Sequence, residues 1–201
     1  MKMIKQLVKF LIDLIVCVTG KTPVGRYFHN QVVKMALGQT LKVSHGSLDV
    51  ILATPNALCR FRAETFSTKE PETLGWIDGF PEGAVLWDIG ANIGLYSIYA
   101  AKQRKCRVWV FEPSVFNLEF LARNVYLNDV TDRVCLVPLA LSEELGPSRL
   151  HMTTTDWGGA LSTFGQDYGH DGKKLQQVFE FQVLGLSMED AVRLLGIPQP
   201  D

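Results

Sequence analysis

The sequence predicts an α/β domain organised around a parallel sheet, and three observations carry that prediction. From Ala84 onward, short apolar runs ("AVLWDIG", "RVWVFEP", "RVCLVPLALS") alternate with segments of helical periodicity, "GLYSIYAAKQR" and "NLEFLARNVYLN". Strands separated by helices are joined by right-handed crossovers and so lie parallel. The first of these strands runs into a glycine turn, "DIGANIG", where open α/β sheets bind their ligands. The chain's 201 residues, 47% hydrophobic and 20% charged, suffice for one domain with a sizeable core and exclude a disordered chain.

The elements ahead of that alternation form an extension, residues 1–69, and the sheet-bearing portion is 70–201. In "MKMIKQLVKFLIDLIVCV" the polar residues Lys2, Lys5, Lys9 and Asp13 recur every three or four positions and mark one face of a helix. Ile4, Leu7, Val8, Leu11, Ile12 and Ile15 mark the other. Asp13 interrupts the apolar run, so no stretch approaches the ~20 residues of a bilayer span. No A-x-A-type cleavage site follows it. The segment is expected to dock on the body of a cytoplasmic protein, or to make peripheral contact with a membrane through residues 1–18. A second helix, 26–37, ends at Gly38. "TLKVSHGSLDVILA" reads as a β-hairpin turning at His45-Gly46-Ser47. "KEPETLGWIDGF" starts a helix at Pro71, with acids in its first turn and a stop at Gly79.

Beyond Gly146 the rhythm changes. A hairpin-like pair, "SRLHM" and "VFEFQVL", encloses a Gly/Asp-rich loop, and "SMEDAVRLLG" closes as a helix capped by Ser187. The net charge of −1 excludes a dedicated nucleic-acid binder. Residues 1–69 carry ten Lys/Arg against three Asp/Glu, a balance of +7, whereas 70–201 carry ten against eighteen, a balance of −8. The basic front suits an anionic surface, or is simply a solvated charged face. Cys17, Cys59, Cys106 and Cys135 form no C-x-x-C pair, so no metal site is expected. Cys106 and Cys135 are expected as small core residues in a reducing compartment.

The glycine turn carries the chemistry. Gly90 allows the sharp bend, Gly94 allows close packing, and the following helix offers unpaired N–H groups. A dinucleotide fingerprint, G-x-G-x-x-G from Gly90, would need glycine where Asn92 and Leu95 stand. Asn92 would crowd a pyrophosphate and Asp88 would repel it. A ligand without phosphates, carrying an amino group and a sulfonium, suits the turn better; S-adenosylmethionine (SAM) is such a ligand. Glu112 ends the second strand, 24 residues after Asp88, where an acid accepts hydrogen bonds from both ribose hydroxyls, and Pro113 then turns the chain away. At the mouth of the cleft Glu112 is expected to contribute little to stability. A nicotinamide-dependent oxidoreductase would use Glu112 equally well but is disfavoured by Asp88 and Asn92. A non-catalytic fragment acting by association is the third reading, and an ordinary α/β turn with a capping acid is the bland one.

Taken together, "TKEPETLGWI", "DIGANIGLYSIYAA", "VFEPSVFNLEFLARNVYLN", "LALSEELG" and "LSMEDAV" resemble the FkbM-type SAM-dependent methyltransferases over roughly residues 64–196. "DIGANIG" alone would indicate only some class I methyltransferase. The resemblance implies a Rossmann-like class I methyltransferase sheet and O-methylation of a hydroxyl on a sugar, glycan or natural-product acceptor. It implies that Asp88, Gly90, Ala91, Asn92 and Gly94 form the loop at the methionine side, with Glu112 and Pro113 at the ribose. Ala140 and Leu141, ending the third strand, would lie against the adenine. The family continues after "LSMEDAV" into a fourth strand of the form I-K-I-D-V-D/E-G, whereas this sequence closes with "GIPQPD". The expectation is therefore an incomplete sheet in a truncated enzyme, its first strand left with an unpaired edge that favours self-association. Methyl transfer is an in-line displacement helped by positioning and, for a hydroxyl acceptor, by a general base. His151, Asp156 and His170 are the acid/base candidates near the cleft, and none is assigned as catalytic.

Overall fold

The structure is a computed structural model that describes residues 2–169 and 171–201, with Lys2 described by its backbone alone. His170, one of the acid/base candidates, lies outside the described residues. The chain divides into two compact units, Met1–Gln39 and Thr40–Asp201.

The smaller unit is a helical hairpin of α1 (Lys2–Thr19) and α2 (Pro23–Leu37). The second helix begins three residues earlier than the sequence predicts, because Thr22 caps it: its hydroxyl accepts from the Gly25 N–H at 3.0 Å, with Pro23 in the first turn. A Cβ on Gly25 would sit 1.9 Å from the Thr19 carbonyl oxygen, so the turn closes only around glycine.

The larger unit opens with the predicted hairpin, β1 (Thr40–His45) and β2 (Leu48–Ala53), paired from Thr40↔Ala53 to His45↔Leu48. Two helices follow, α3 (Ala57–Glu64) and α4 (Pro71–Asp78). The first was not foreseen; the Asn56 side chain caps it, accepting from the Cys59 N–H at 2.8 Å. Then comes the α/β alternation: β3 (Val85–Ile89), α5 (Leu95–Gln103), β4 (Arg107–Phe111), α6 (Val115–Leu127) and β5 (Val134–Val137). Its three strands form a parallel sheet in the order β3-β4-β5, in register from Val85↔Arg107 and Val108↔Val134.

Apolar side chains cover both faces of this Rossmann-like sheet, as parallel sheets require. On one face Leu86, Val108 and Val110 meet Ile98 and Tyr99 of α5, Leu121 and Val125 of α6, and Val50 and Leu52 of the hairpin. Asn124 of α6 and Asn128, which caps that helix, are buried and bind the hairpin edge: they accept from the Ala53 N–H at 2.7 Å and the Ile51 N–H at 2.9 Å. The hairpin and α3 belong to the compact unit that carries the sheet, Thr40–Asp201.

The predicted third strand is two strands. Pro138 lacks the N–H a ladder needs, so β5 stops at Val137 and a short β6 (Ala140–Leu141) joins a separate sheet. That sheet has the order β6-β9-β7-β8, with β7 (Gly146–Met152), β8 (Thr163–Phe164) and β9 (Phe179–Leu186). The foreseen pair is β7 and β9, antiparallel from Gly146↔Gly185 to Met152↔Phe179. The closing helix α7 (Met188–Leu195) is capped by Ser187, whose hydroxyl accepts from the Asp190 N–H at 3.1 Å.

On the other face of the parallel sheet, Val85, Trp87 and Phe111 cluster with Ala191 and Ile197. The edge of β3 is not bare at its start. Val85 donates to the Asp201 carboxylate at 2.8 Å and accepts from the Asp201 N–H at 3.1 Å, and the Trp87 indole donates to the Pro198 carbonyl at 2.9 Å. Cys106 is buried as expected, but Cys135 is exposed, because β5 turns it away from the core.

Candidate functional site

The loop after β3 is built from left-handed backbone. Gly90, Asn92 and Gly94 have φ of 73°, 56° and 83°. Glycine adopts this region freely, and asparagine is among the few other residues that tolerate it. A Cβ on Gly90 would meet no protein atom within 4 Å, so the loop backbone faces open space. A Cβ on Gly94 would lie 2.4 Å from Leu121 Cδ1, so α5 starts pressed against α6. Asp88, at the end of β3, accepts a hydrogen bond from the Ser97 hydroxyl of α5. Burial holds its carboxyl above the usual range, and that hydrogen bond offsets part of the shift.

Glu112 is more deeply engaged than a cleft-mouth acid. It is 5% exposed, and both oxygens accept backbone N–H groups: Oε2 from Asn92 at 2.7 Å and Oε1 from Ser114 at 2.9 Å. Burial raises its pKa, and the two N–H groups pull it back down. The carboxylate therefore fixes the glycine loop to the end of β4, and the expectation of a negligible structural role is overturned. Each oxygen still has a further lone pair for a ligand.

A strap at Trp157–Gly159, between β7 and β8, closes against the loop. The Asn92 amide donates to the Gly159 carbonyl. Asn117 of α6 accepts from the Gly158 N–H and donates to the Gly159 carbonyl, both at 3.1 Å. Arg62 Nε donates to the Gly158 carbonyl at 2.7 Å, and the Asn56 amide to that of Trp157 at 3.0 Å. The Trp157 ring packs on Phe120, with centroids 5.0 Å apart.

Loop, strap and strand ends enclose a cavity of about 480 Å³, a size suited to a small molecule or cofactor. Asp88, Gly90, Ala91, Asn92, Glu112, Pro113, Ala140 and Leu141 all line it. Gly94 does not, since it serves the helix packing. Ala140 and Leu141 reach the cavity from β6, in the second sheet. Sequence reasoning missed Arg62, Lys69, Glu70, Tyr96 and Asn117, which also line it. The pKa of Tyr96 is pushed up first by burial and then by the neighbouring Glu70 carboxylate. Lys69 pairs with Glu70 at 3.2 Å.

Of the acid/base candidates, His151 does not line the cavity. It sits on β7, with Nδ1 2.8 Å from Gln177 Oε1 and 3.3 Å from Glu180 Oε2. Asp156 is exposed before the strap and does not line the cavity either. Among the described residues no group of three or more His, Cys, Asp or Glu side chains is gathered to hold a metal ion.

No family model matches this chain. A curated relative, methyltransferase sdnD of Sordaria araneosa, is 35% identical over 71 residues, which take in 35% of this chain and 27% of the relative. The chain thus spans about a quarter of that relative's length. Among solved structures, a transferase from Pyrococcus horikoshii, PH0793, overlaps at 20% identity with a TM-score of 0.39, covering 50% of this chain and 36% of the other. TYW2 of M. jannaschii, in complex with AdoMet, overlaps at 19% identity with a TM-score of 0.37, covering 49% and 42%.

Proposed function

We propose that this chain holds the cofactor site of a SAM-dependent methyltransferase of class I, FkbM-type, acting on a hydroxyl of a sugar, glycan or natural product. The observation that carries the reading is the pairing of a glycine loop with two carboxylates, Asp88 and Glu112, around one cavity. Acids at both strand ends repel a pyrophosphate and attract an amino group and a ribose diol. The 71-residue likeness to a protein named a methyltransferase supports it.

The residues fit such a cofactor in their chemistry. Gly90 presents bare backbone to open space, and Glu112 retains lone pairs for two ribose hydroxyls. Ala140, Leu141 and Pro113 give an apolar wall for adenine, and Asp88 faces the methionine end. When bound, SAM supplies an electrophilic methyl group. The chain's own contribution is orientation, by a loop locked to Glu112, and exclusion of water by the strap.

Glu70, beside Tyr96 in the cavity lining, is the group placed to accept the acceptor's proton. Calorimetric titration of the purified chain with SAM, S-adenosylhomocysteine and NAD tests the reading. SAM and its product should bind and NAD should not. Tight NAD binding with silent SAM overturns it.

A further inference from the structure

The helical hairpin of residues 2–39 is unlike any other surface of the molecule. Every residue of α1 from Met3 to Val18 is exposed, including Ile4 at 65% and Phe10 at 62%. At 100° per residue, Lys5, Lys9 and Asp13 share a narrow polar arc, and aliphatic and aromatic side chains occupy most of the remaining circumference. The second helix repeats the arrangement. Val24 (79% exposed), Phe28, Val32 and Met35 (73%) form one flank, with Arg26, Asn30 and Lys34 on the opposite one. Contiguous apolar faces of this kind are rare on soluble monomers and mark protein or membrane contact sites.

Charge decides what covers them. Residues 2–39 hold Lys2, Lys5, Lys9, Lys21, Arg26 and Lys34, six cations against the single acid Asp13. Gln6, the amide of α1, lies beside Asp13 at the polar border, and the apolar arc carries no charged side chain. No helix among the described residues is long and apolar enough to cross a membrane. A wide apolar face bordered by cations, on a helix about 27 Å long, matches the boundary between acyl chains and anionic head groups.

We propose that residues 2–39 form an interfacial hairpin that docks the chain on anionic lipid surfaces. α1 lies in the plane of the membrane, its apolar arc in the acyl boundary and its lysines among the head groups; the exposed flank of α2 adds a second apolar contact. This proposal is independent of the cofactor reading.

Flotation of the full chain with vesicles of phosphatidylcholine, alone or mixed with phosphatidylglycerol, tests it. Binding should require phosphatidylglycerol and fall steeply from low to high salt. Lys5→Gln/Lys9→Gln should weaken it roughly 25-fold, about fivefold per charge. Leu7→Asn/Leu11→Asn should abolish it while circular dichroism shows the α/β unit still folded. Equal binding to phosphatidylcholine alone overturns the proposal, as does binding that survives salt and alkaline carbonate. Failure to float, coupled with concentration-dependent self-association, assigns the face to a second copy instead and equally overturns it.

Discussion

Replacing Glu112 by glutamine keeps the side chain's shape while removing one acceptor and one charge. In the wild type the two oxygens accept the Asn92 and Ser114 N–H groups at 2.7 and 2.9 Å, in a setting 5% exposed. The amide oxygen that Glu112→Gln introduces can serve only one of them, and the new NH₂ then faces the other donor. A buried unsatisfied donor costs about 1–3 kcal/mol, and relief of the buried charge, which raises the Glu112 pKa, returns part of that. A net loss of about 1–2 kcal/mol lowers Tm by about 2–8 °C for a domain of this size. Loss of a charge-assisted bond to the ribose adds roughly a tenfold or greater weakening of SAM binding. Thermal unfolding by circular dichroism, paired with calorimetry on the folded protein, reads both effects. The Tm gap should widen as the pH falls through the raised Glu112 pKa, because the folded wild type takes up its proton more readily than the unfolded chain whereas the glutamine variant does not titrate there. An unchanged Tm would refute the clamp; a lowered Tm with unaltered SAM affinity would leave Glu112 a loop fastener and nothing more.

Three further outcomes are expected. Gly94→Ala combines a left-handed φ of 83° with a contact on Leu121, costing about 2–5 kcal/mol together. Shortening Leu121 to Ala in that background should return part of the lost Tm, and no recovery would contradict the packing described. Asp88 keeps its proton to higher pH in the folded state than its unfolded value of 3.8, so its ionisation lowers stability as pH rises through the folded value. Asp88→Asn should accordingly raise Tm at neutral pH, with a gain that disappears below the unfolded value; a pH-independent difference would contradict the burial argument. Glu70→Gln should leave SAM affinity intact and slow methyl transfer to a hydroxyl acceptor about 10²–10⁴-fold, whereas an unaltered rate removes Glu70 from the chemistry.

What was legible in the sequence was local. Gly90 and Gly94 mark a left-handed turn, Ser187 marks a helix start, and the alternation after Ala84 marks parallel strands, because each depends on neighbours a few positions apart. The strap was not legible. Its bonds join Asn92 and Asn117 to Gly158 and Gly159 across tens of residues, and polar side chains meeting main-chain carbonyls leave no periodicity. The hairpin's place in the core depends on Asn124 and Asn128, polar residues that a hydrophobic pattern assigns to the surface. Glu112 was found by its position at the end of β4, but its two backbone partners follow from loop directions that only the fold supplies. The split at Pro138 was readable in principle, since proline seldom occupies the middle of a strand. The apolar residues on both sides of it concealed the break.

The central claim is that the cavity between Asp88, Glu112 and the strap holds SAM. An experimental structure of the chain with S-adenosylhomocysteine tests this most directly. The account predicts the ribose hydroxyls on the Glu112 carboxylate, the adenine beside Ala140 and Leu141, and the amino acid end over Gly90 and Asp88. A ligand seated elsewhere, or a ribose bound with Glu112 still turned wholly into the loop, would contradict it.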